Sequence, residues 1–319
     1  MPHNRFAGEN SQSMLVEGVY YGFIVALLWG GWLAMSFHGI AVGMSAWDIA
    51  FVRYSTSGLL LSPLLVIHKP AARVSWQKRL ILSLLAGPLL LWFALGGYPS
   101  SPLVHGAFIQ LVTLIVCSIL LSVLILKEGF NWQWGLGVSI LVSGLMLIVE
   151  PGATALSHQP ETDLMFAMSG AMLAVFILLL RLWRISALTA LILVSVYSAL
   201  FFVPLYLIFK GPWSLMMLDS TLLWQQVLVQ GVLSGVVAIF AFSKAAQYLG
   251  TRRAAMFPAL SPAIALGVGL PFNNQLPGLT QYLGVVISLL GFAVALLNTR
   301  KVKLQDVDAA KRSYKNNDI

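Results

Sequence analysis

Arg53 stands inside an apolar run, Phe51-Val52-Arg53-Tyr54, where a permanent cation is costly unless something uses it. Its planar guanidinium suits bidentate pairing with a carboxylate or phosphate, so one reading is a contact to an anionic solute. The other is structural: an ion pair or a contact to helix-end carbonyls. Asp48 is five residues away, which places an intrahelical pair poorly. Lys244 sits near the end of a later apolar run, within snorkelling reach of water or poised to line a cavity. Trp29, Trp92, Gln110, Tyr197 and Gln230 all fall near the middle of such runs. Aromatic belts belong at membrane interfaces, so these rings either pack between helices or line a pocket. The amides of Gln110 and Gln230 cannot face lipid without leaving polar groups unpaired, so they point inward.

The carboxylates are less promising. Glu128 lies in a turn beside Lys127, and Asp163 at the start of an apolar run, where negative charge suits a helix N-terminus. Neither is expected at mid-depth, so proton coupling has no support at this level. His105 and His38 lie near run ends and lack the spacing of a metal pair. No nucleophile–base set, zinc motif or phosphate-cradling loop is present, so no enzyme activity, metal or cofactor is expected. The single cysteine, Cys117, excludes an intramolecular disulfide.

These residues must be carried by membrane helices. Hydrophobic residues make up 59% of the chain and charged residues 9%, with mean hydropathy +0.86. A water-exposed surface would need far more charge. About 20 apolar residues cross the hydrocarbon. Ten spans are read near 15–37, 47–67, 79–98, 102–126, 133–150, 163–182, 185–209, 222–247, 251–271 and 278–298. The first run is too long for a signal-peptide core and reads as a retained helix. Pro99 and Pro102 separate the third and fourth spans. Gly87-Pro88 interrupts the third at its centre.

Sixteen Lys and Arg fall on the termini and alternate connections, and only Lys210 on the others. The expected orientation has both termini cytoplasmic, in a cell inner membrane. The basic tail anchors the last span, and no nucleic-acid partner is expected.

A repeat organises the spans. Lys127 to Asn131 precede Gly137 and Gly144, and Asn273 to Pro277 precede Gly284 and Gly291, a shift of 147 residues. With five spans per half, the second copy enters the membrane from the opposite side. The fold class is therefore all-α: a polytopic membrane protein of ten helices in two inverted five-helix repeats. The boundaries are 1–14 for an N-terminal segment, 15–150 and 151–298 for the repeats, and 299–319 for the tail.

The order of short motifs resembles the drug/metabolite transporter superfamily, EamA type. The residues that carry it are Ala26-Leu27-Leu28-Trp29-Gly30, Phe51-Val52-Arg53-Tyr54 and Leu126-Lys127-Glu128 in the first unit. Thr162-Asp163-Leu164, Ala246 to Ala255 and Leu260-Ser261-Pro262 carry it in the second. The resemblance implies export or exchange of small organic solutes, amino-acid-like ones among them, through a central cavity. Alternating access is the expected mechanism, with a channel-like facilitator or a membrane scaffold as the competing classes. The expected partners are a small-molecule substrate and the lipid bilayer, with a homodimer left open. The substrate-contact residues expected are Trp29, Arg53, Trp92, Gln110, Tyr197 and Lys244.

Overall fold

The computed structural model describes residues 3–101, 103–127, 132–148, 160–249, 254, 256–265, 267 and 278–297. Every regular element among them is helical. The helix α1 (His3–Ala41) begins within the segment expected to precede the first span and ends just before Gly43. Gly43 adopts φ +100°, a conformation that side-chain-bearing residues avoid. Ser45 then starts α2 (Ala46–Ile67) with a reciprocal capping box, its side chain accepting from the Asp48 amide while Asp48 accepts from the Ser45 amide. A short α3 (Lys69–Ala72) leads to α4 (Trp76–Ala86) and α5 (Pro88–Leu95), which together cover the third expected span.

A one-turn helix at Tyr98–Ser100 precedes α6 (Leu103–Leu124), as the prolines there require. The first half ends with α7 (Trp132–Ile148). The second runs through α8 (Pro160–Leu182), α9 (Ala187–Phe209), short α10 (Trp213–Met216), α11 (Ser220–Gln226) and α12 (Ala238–Leu249) to α13 (Leu279–Leu297). Between α11 and α12 the chain stays helical but widens into a π-helical stretch, Val227–Val237.

Eight stretches are long and apolar enough to cross a bilayer, and α7 adds a shorter one, Gly135–Ile148. They match nine of the ten expected spans in order. Of the expected span 251–271, residues 254, 256–265 and 267 are described and the others lie outside the described residues, as do Glu128 and Gln275. Two apolar cores hold the bundle. One gathers around α2, α4, α5 and α9. The other joins α1, α6, α7, the Phe257–Leu260 turn and α13.

The glycines of the repeat find their purpose between α7 and α13. Gly137 lies against Ala295, Gly144 against Ser288, Gly291 against Leu141 and Gly284 against Ile148. Partner numbers fall as the chain rises, so the two helices run antiparallel. Ser288 Oγ donates to the Leu141 carbonyl at 3.4 Å across 147 residues. Shifting by that interval turns the Gly137–Ala295 contact into Gly284–Ile148, and Leu141–Gly291 into Ser288–Gly144. The same interval relates a second pair of contacts. Phe23 meets Phe257 with ring centroids 5.6 Å apart, and at the shifted positions Gly170 packs on the Gln110 carbonyl. The internal duplication read in the sequence is therefore also a register of contacts.

Candidate functional site

Two helices are irregular at mid-length, and their irregularities correspond. Gly87 breaks α4 from α5, with φ −98° and ψ −147°, and Pro88 offers no amide to continue the ladder. Counting 147 residues on from Gly87 reaches Ser234, inside the π-helical stretch. Ser234 Oγ donates to the carbonyls of both Val229 (2.7 Å) and Gln230 (3.0 Å), bridging the widened turn. Such stretches are rare and recur at functional sites. Paired interruptions in the two halves are the pattern that marks substrate sites in transporters built from inverted repeats.

Helix α2 holds both interruptions with neighbouring residues. Tyr54 Oη donates to the Ala86 carbonyl at 2.9 Å, beside the break. Arg53 turns to the other helix, donating from Nη1 to Ser234 Oγ (2.9 Å) and from Nη2 to the Ser234 carbonyl (3.3 Å). Its guanidinium carbon also sits 5.8 Å from the Trp32 ring centroid, a cation–π contact. Small residues permit this closeness: Gly231 packs on Thr56 and Gly235 on Ser57.

A polar stripe continues from there into the bundle. Gln230 is fully buried and donates to Ser36 Oγ (2.9 Å) and Gln226 Oε1 (3.1 Å). Gln226, also fully buried, donates to the Met35 carbonyl at 2.9 Å. Ser36 ends the chain of bonds by donating to the Trp32 carbonyl at 2.7 Å. Two buried atoms of this network, Trp32 Nε1 and Gln230 Oε1, have no hydrogen-bond partner among the described residues. Buried polar atoms are normally paired. A donor and an acceptor beside a buried cation can therefore serve a bound solute. No carboxylate contacts Arg53 among the described residues.

Asp48 is engaged elsewhere. It is 1% exposed and accepts from Lys210 Nζ (2.9 Å), Ser214 Oγ (3.0 Å), the Ser45 amide and hydroxyl (2.8 Å each) and Tyr206 Oη. Lys210, the one cation expected on the less basic connections, thus ties the end of α9 to the start of α2. This group clamps the two halves together at the end of the bundle where α1 gives way to α2.

Of the six residues expected to touch substrate, Arg53 alone lies in the network just described. Trp29 is half-buried on α1, one turn before Trp32. Trp92 stacks on Trp47 (5.8 Å, 15°), which stacks in turn on Phe202. Gln110 is half-buried, and its carbonyl packs on Gly170. Tyr197 accepts from Arg79 and carries that guanidinium 5.5 Å from its ring, so its hydroxyl is drawn toward the α3–α4 connection. Lys244 Nζ lies 5.7 Å from the Phe240 ring. Sequence reading missed Trp32, Ser36, Gln226 and Ser234. Gln226, Gln230 and Ser234 do recur every four residues, and that polar stripe was the available signal.

The comparisons agree with this architecture. A solved crystal structure with 16% identity covers 90% of this chain and 98% of its own, with a TM-score of 0.65, and so shares the fold. No curated protein matches the chain by sequence. The model of the EamA-like transporter family matches twice, over residues 16–150 and 162–297, once on each half. With nearly the whole length covered by two family repeats, the chain belongs to the EamA-like transporter family.

Proposed function

We propose that the protein is a secondary transporter that exports or exchanges a small organic metabolite by alternating access. One observation carries this reading: two interrupted helices at corresponding positions of the two repeats, both held by α2. A pore needs a polar path but has no use for a repeated interruption. A carrier needs weak points that rearrange together, one in each half. In the proposed orientation the basic connections and both termini face the cytoplasm of a cell inner membrane.

Arg53 is the proposed anchor for an anionic group of the solute. A guanidinium has five N–H donors, and Ser234 accepts just one from each of the two terminal nitrogens. A carboxylate arriving beside Trp32 would neutralise the buried cation and meet the unpartnered indole N–H. The unpartnered Gln230 oxygen would accept from a hydroxyl or amine on the same solute. A metabolite screen by thermal shift on purified protein should find stabilising acids, to be followed by counterflow in proteoliposomes. Preloaded solute should accelerate uptake of labelled solute, and Arg53→Ala should abolish that exchange while the protein stays monodisperse. Uptake without trans-stimulation would indicate a channel, and wild-type exchange in Arg53→Ala would remove Arg53 from the site.

A further inference from the structure

A basic surface lies apart from the Arg53 network, at the end of the bundle where α2 leads to α4 and α8 to α9. Lys69, Arg73, Lys78 and Arg79 fall on and beside the α3–α4 connection, and Arg181 and Arg184 on the α8–α9 turn. Residues 67–81 and 180–188 contain no acidic side chain. Cations on loose loops do no more than orient the helices beside them. These stand on a frame of contacts that joins the two halves. Arg79 donates from Nε to the Val74 carbonyl (2.6 Å), from Nη2 to the Ala72 carbonyl (2.9 Å) and from Nη1 to Tyr197 Oη on α9. Lys78 Nζ lies 5.2 Å from the Trp183 ring centroid. His68 Nε2 meets Thr189 Oγ1 at 3.0 Å, and that hydroxyl also bonds Ser186 at the start of α9.

Every partner in that frame is neutral, so its positive charge is left uncompensated. Arg73 falls between the two residues whose carbonyls hold Arg79, and Arg184 follows the ring that receives Lys78. Both arginines are exposed, and neither meets a carboxylate among the described residues. Arg184 also takes φ +54°, at a helix end where glycine is the usual residue. Apolar surface begins at the same turn. Trp76, Leu80 and Leu84 recur at four-residue steps along α4, and all three are exposed. We propose that this surface is a binding site for an anionic glycerophospholipid. Its phosphate would lie against Arg73 and Arg184, and its acyl chains along Trp76, Leu80 and Leu84. Charge selects the anionic head over a zwitterionic one, whose ammonium the six cations repel. The apolar stripe selects a lipid over a soluble phosphate, which has nothing to lay there. In the proposed orientation the site meets the cytoplasmic leaflet, where juxtamembrane cations attract anionic lipid. The site itself depends neither on that orientation nor on transport.

The test mixes the full chain in detergent with equal amounts of phosphatidylglycerol and phosphatidylcholine bearing the same acyl chains. Native mass spectrometry then reads which lipid the protein retains. The parent should retain phosphatidylglycerol over phosphatidylcholine by about tenfold or more, and the double variant Arg73→Gln/Arg184→Gln should bring that ratio near one. Neither side chain has a partner among the described residues, so the variant should melt like the parent in detergent alone. If it melts early, the two single variants replace it, and each should lower the ratio about threefold or more. Lys301→Gln/Lys303→Gln removes the same charge from the basic tail and should keep the parent's ratio. Equal retention of both lipids by the parent, or an unchanged ratio in the arginine variants, would overturn the site. An equal loss in the tail variant would replace it with diffuse attraction. Displacement of phosphatidylglycerol by millimolar inorganic phosphate would make it a soluble-anion site and overturn the lipid assignment.

Discussion

The contact between α7 and α13 allows a substitution whose sign depends on neighbours alone. Replacing a helical glycine by alanine ordinarily stabilises, by about 1 kcal/mol, because the unfolded chain loses freedom. A Cβ at Gly144 would lie 2.3 Å from the Ser288 amide nitrogen, and one at Gly291 2.2 Å from that of Leu141. Ordinary contact is about 3.5 Å, so each methyl demands that two backbones part by about 1 Å. Overpacking of this kind costs about 1–3 kcal/mol. The obstacle is main chain, which no rotamer change can move aside, so the upper half of that range applies and outweighs the propensity gain. Gly144→Ala and Gly291→Ala should therefore each destabilise by about 1–2 kcal/mol. The two losses should also be alike, because the repeat makes them the same position seen from either helix. Gly31 supplies the control: a Cβ there meets nothing within 4 Å, and Gly31→Ala should stabilise. Thermal unfolding followed by tryptophan fluorescence in one detergent, with all three variants in parallel, reads the order. Gly144→Ala or Gly291→Ala melting at or above the parent would refute the packing account, as would unequal losses from the two.

The polar contacts give further expectations. Tyr54→Phe removes the only side-chain donor on the Ala86 carbonyl among the described residues, and should lower stability by about 1–3 kcal/mol in the same melts. Lys210→Met should cost little, about 1 kcal/mol, since its side chain is 36% exposed and Asp48 keeps four other donors. Asp48→Leu strands those donors and should cost several times more; equal losses in the two variants would show that the pair, rather than the donor cluster, is what matters. For transport, Arg53→Lys should retain only a small fraction of exchange, since an ammonium cannot reproduce the fork toward Ser234, and full activity would show that charge alone suffices.

The helices were legible because bilayer crossing demands apolar length, and nothing else in the chain competes with that signal. The repeat was legible because close backbone contact demands glycine, so Gly137, Gly144, Gly284 and Gly291 left a spaced trace. The break at Gly87-Pro88 was visible for the same kind of reason: proline removes a donor wherever it falls. The π-helical stretch was not, since Val227–Val237 is uniformly apolar apart from Gln230 and Ser234, and a widened turn needs no special residue. Partner choice was also hidden. Arg53 meets Ser234 across 181 residues, and Arg79 meets Tyr197 across 118. Helix packing decides such pairs. A mid-span position for Tyr197 suggests a cavity, but its ring is long enough to reach toward the basic connection, and the sequence carries no mark of which way it turns. Asp163 and His105 each read as a helix-end group, and only the fold brings the two ends together.

The clamp around Asp48 is an ion pair, so it contributes no net charge to whatever moves. Arg53 meets only neutral groups among the described residues, and so brings a whole positive charge to the interior. A charge carried across a full 100 mV exchanges about 2.3 kcal/mol with the field, so even a partial displacement of α2 would be felt. On the proposed mechanism the empty carrier then senses voltage as it reorients, whereas a carrier loaded with a monoanion is electrically silent. Membrane potential would retard or hasten the return step and leave the delivery step alone. Charge movements recorded on a solid-supported membrane should appear without solute and fade as it saturates the site.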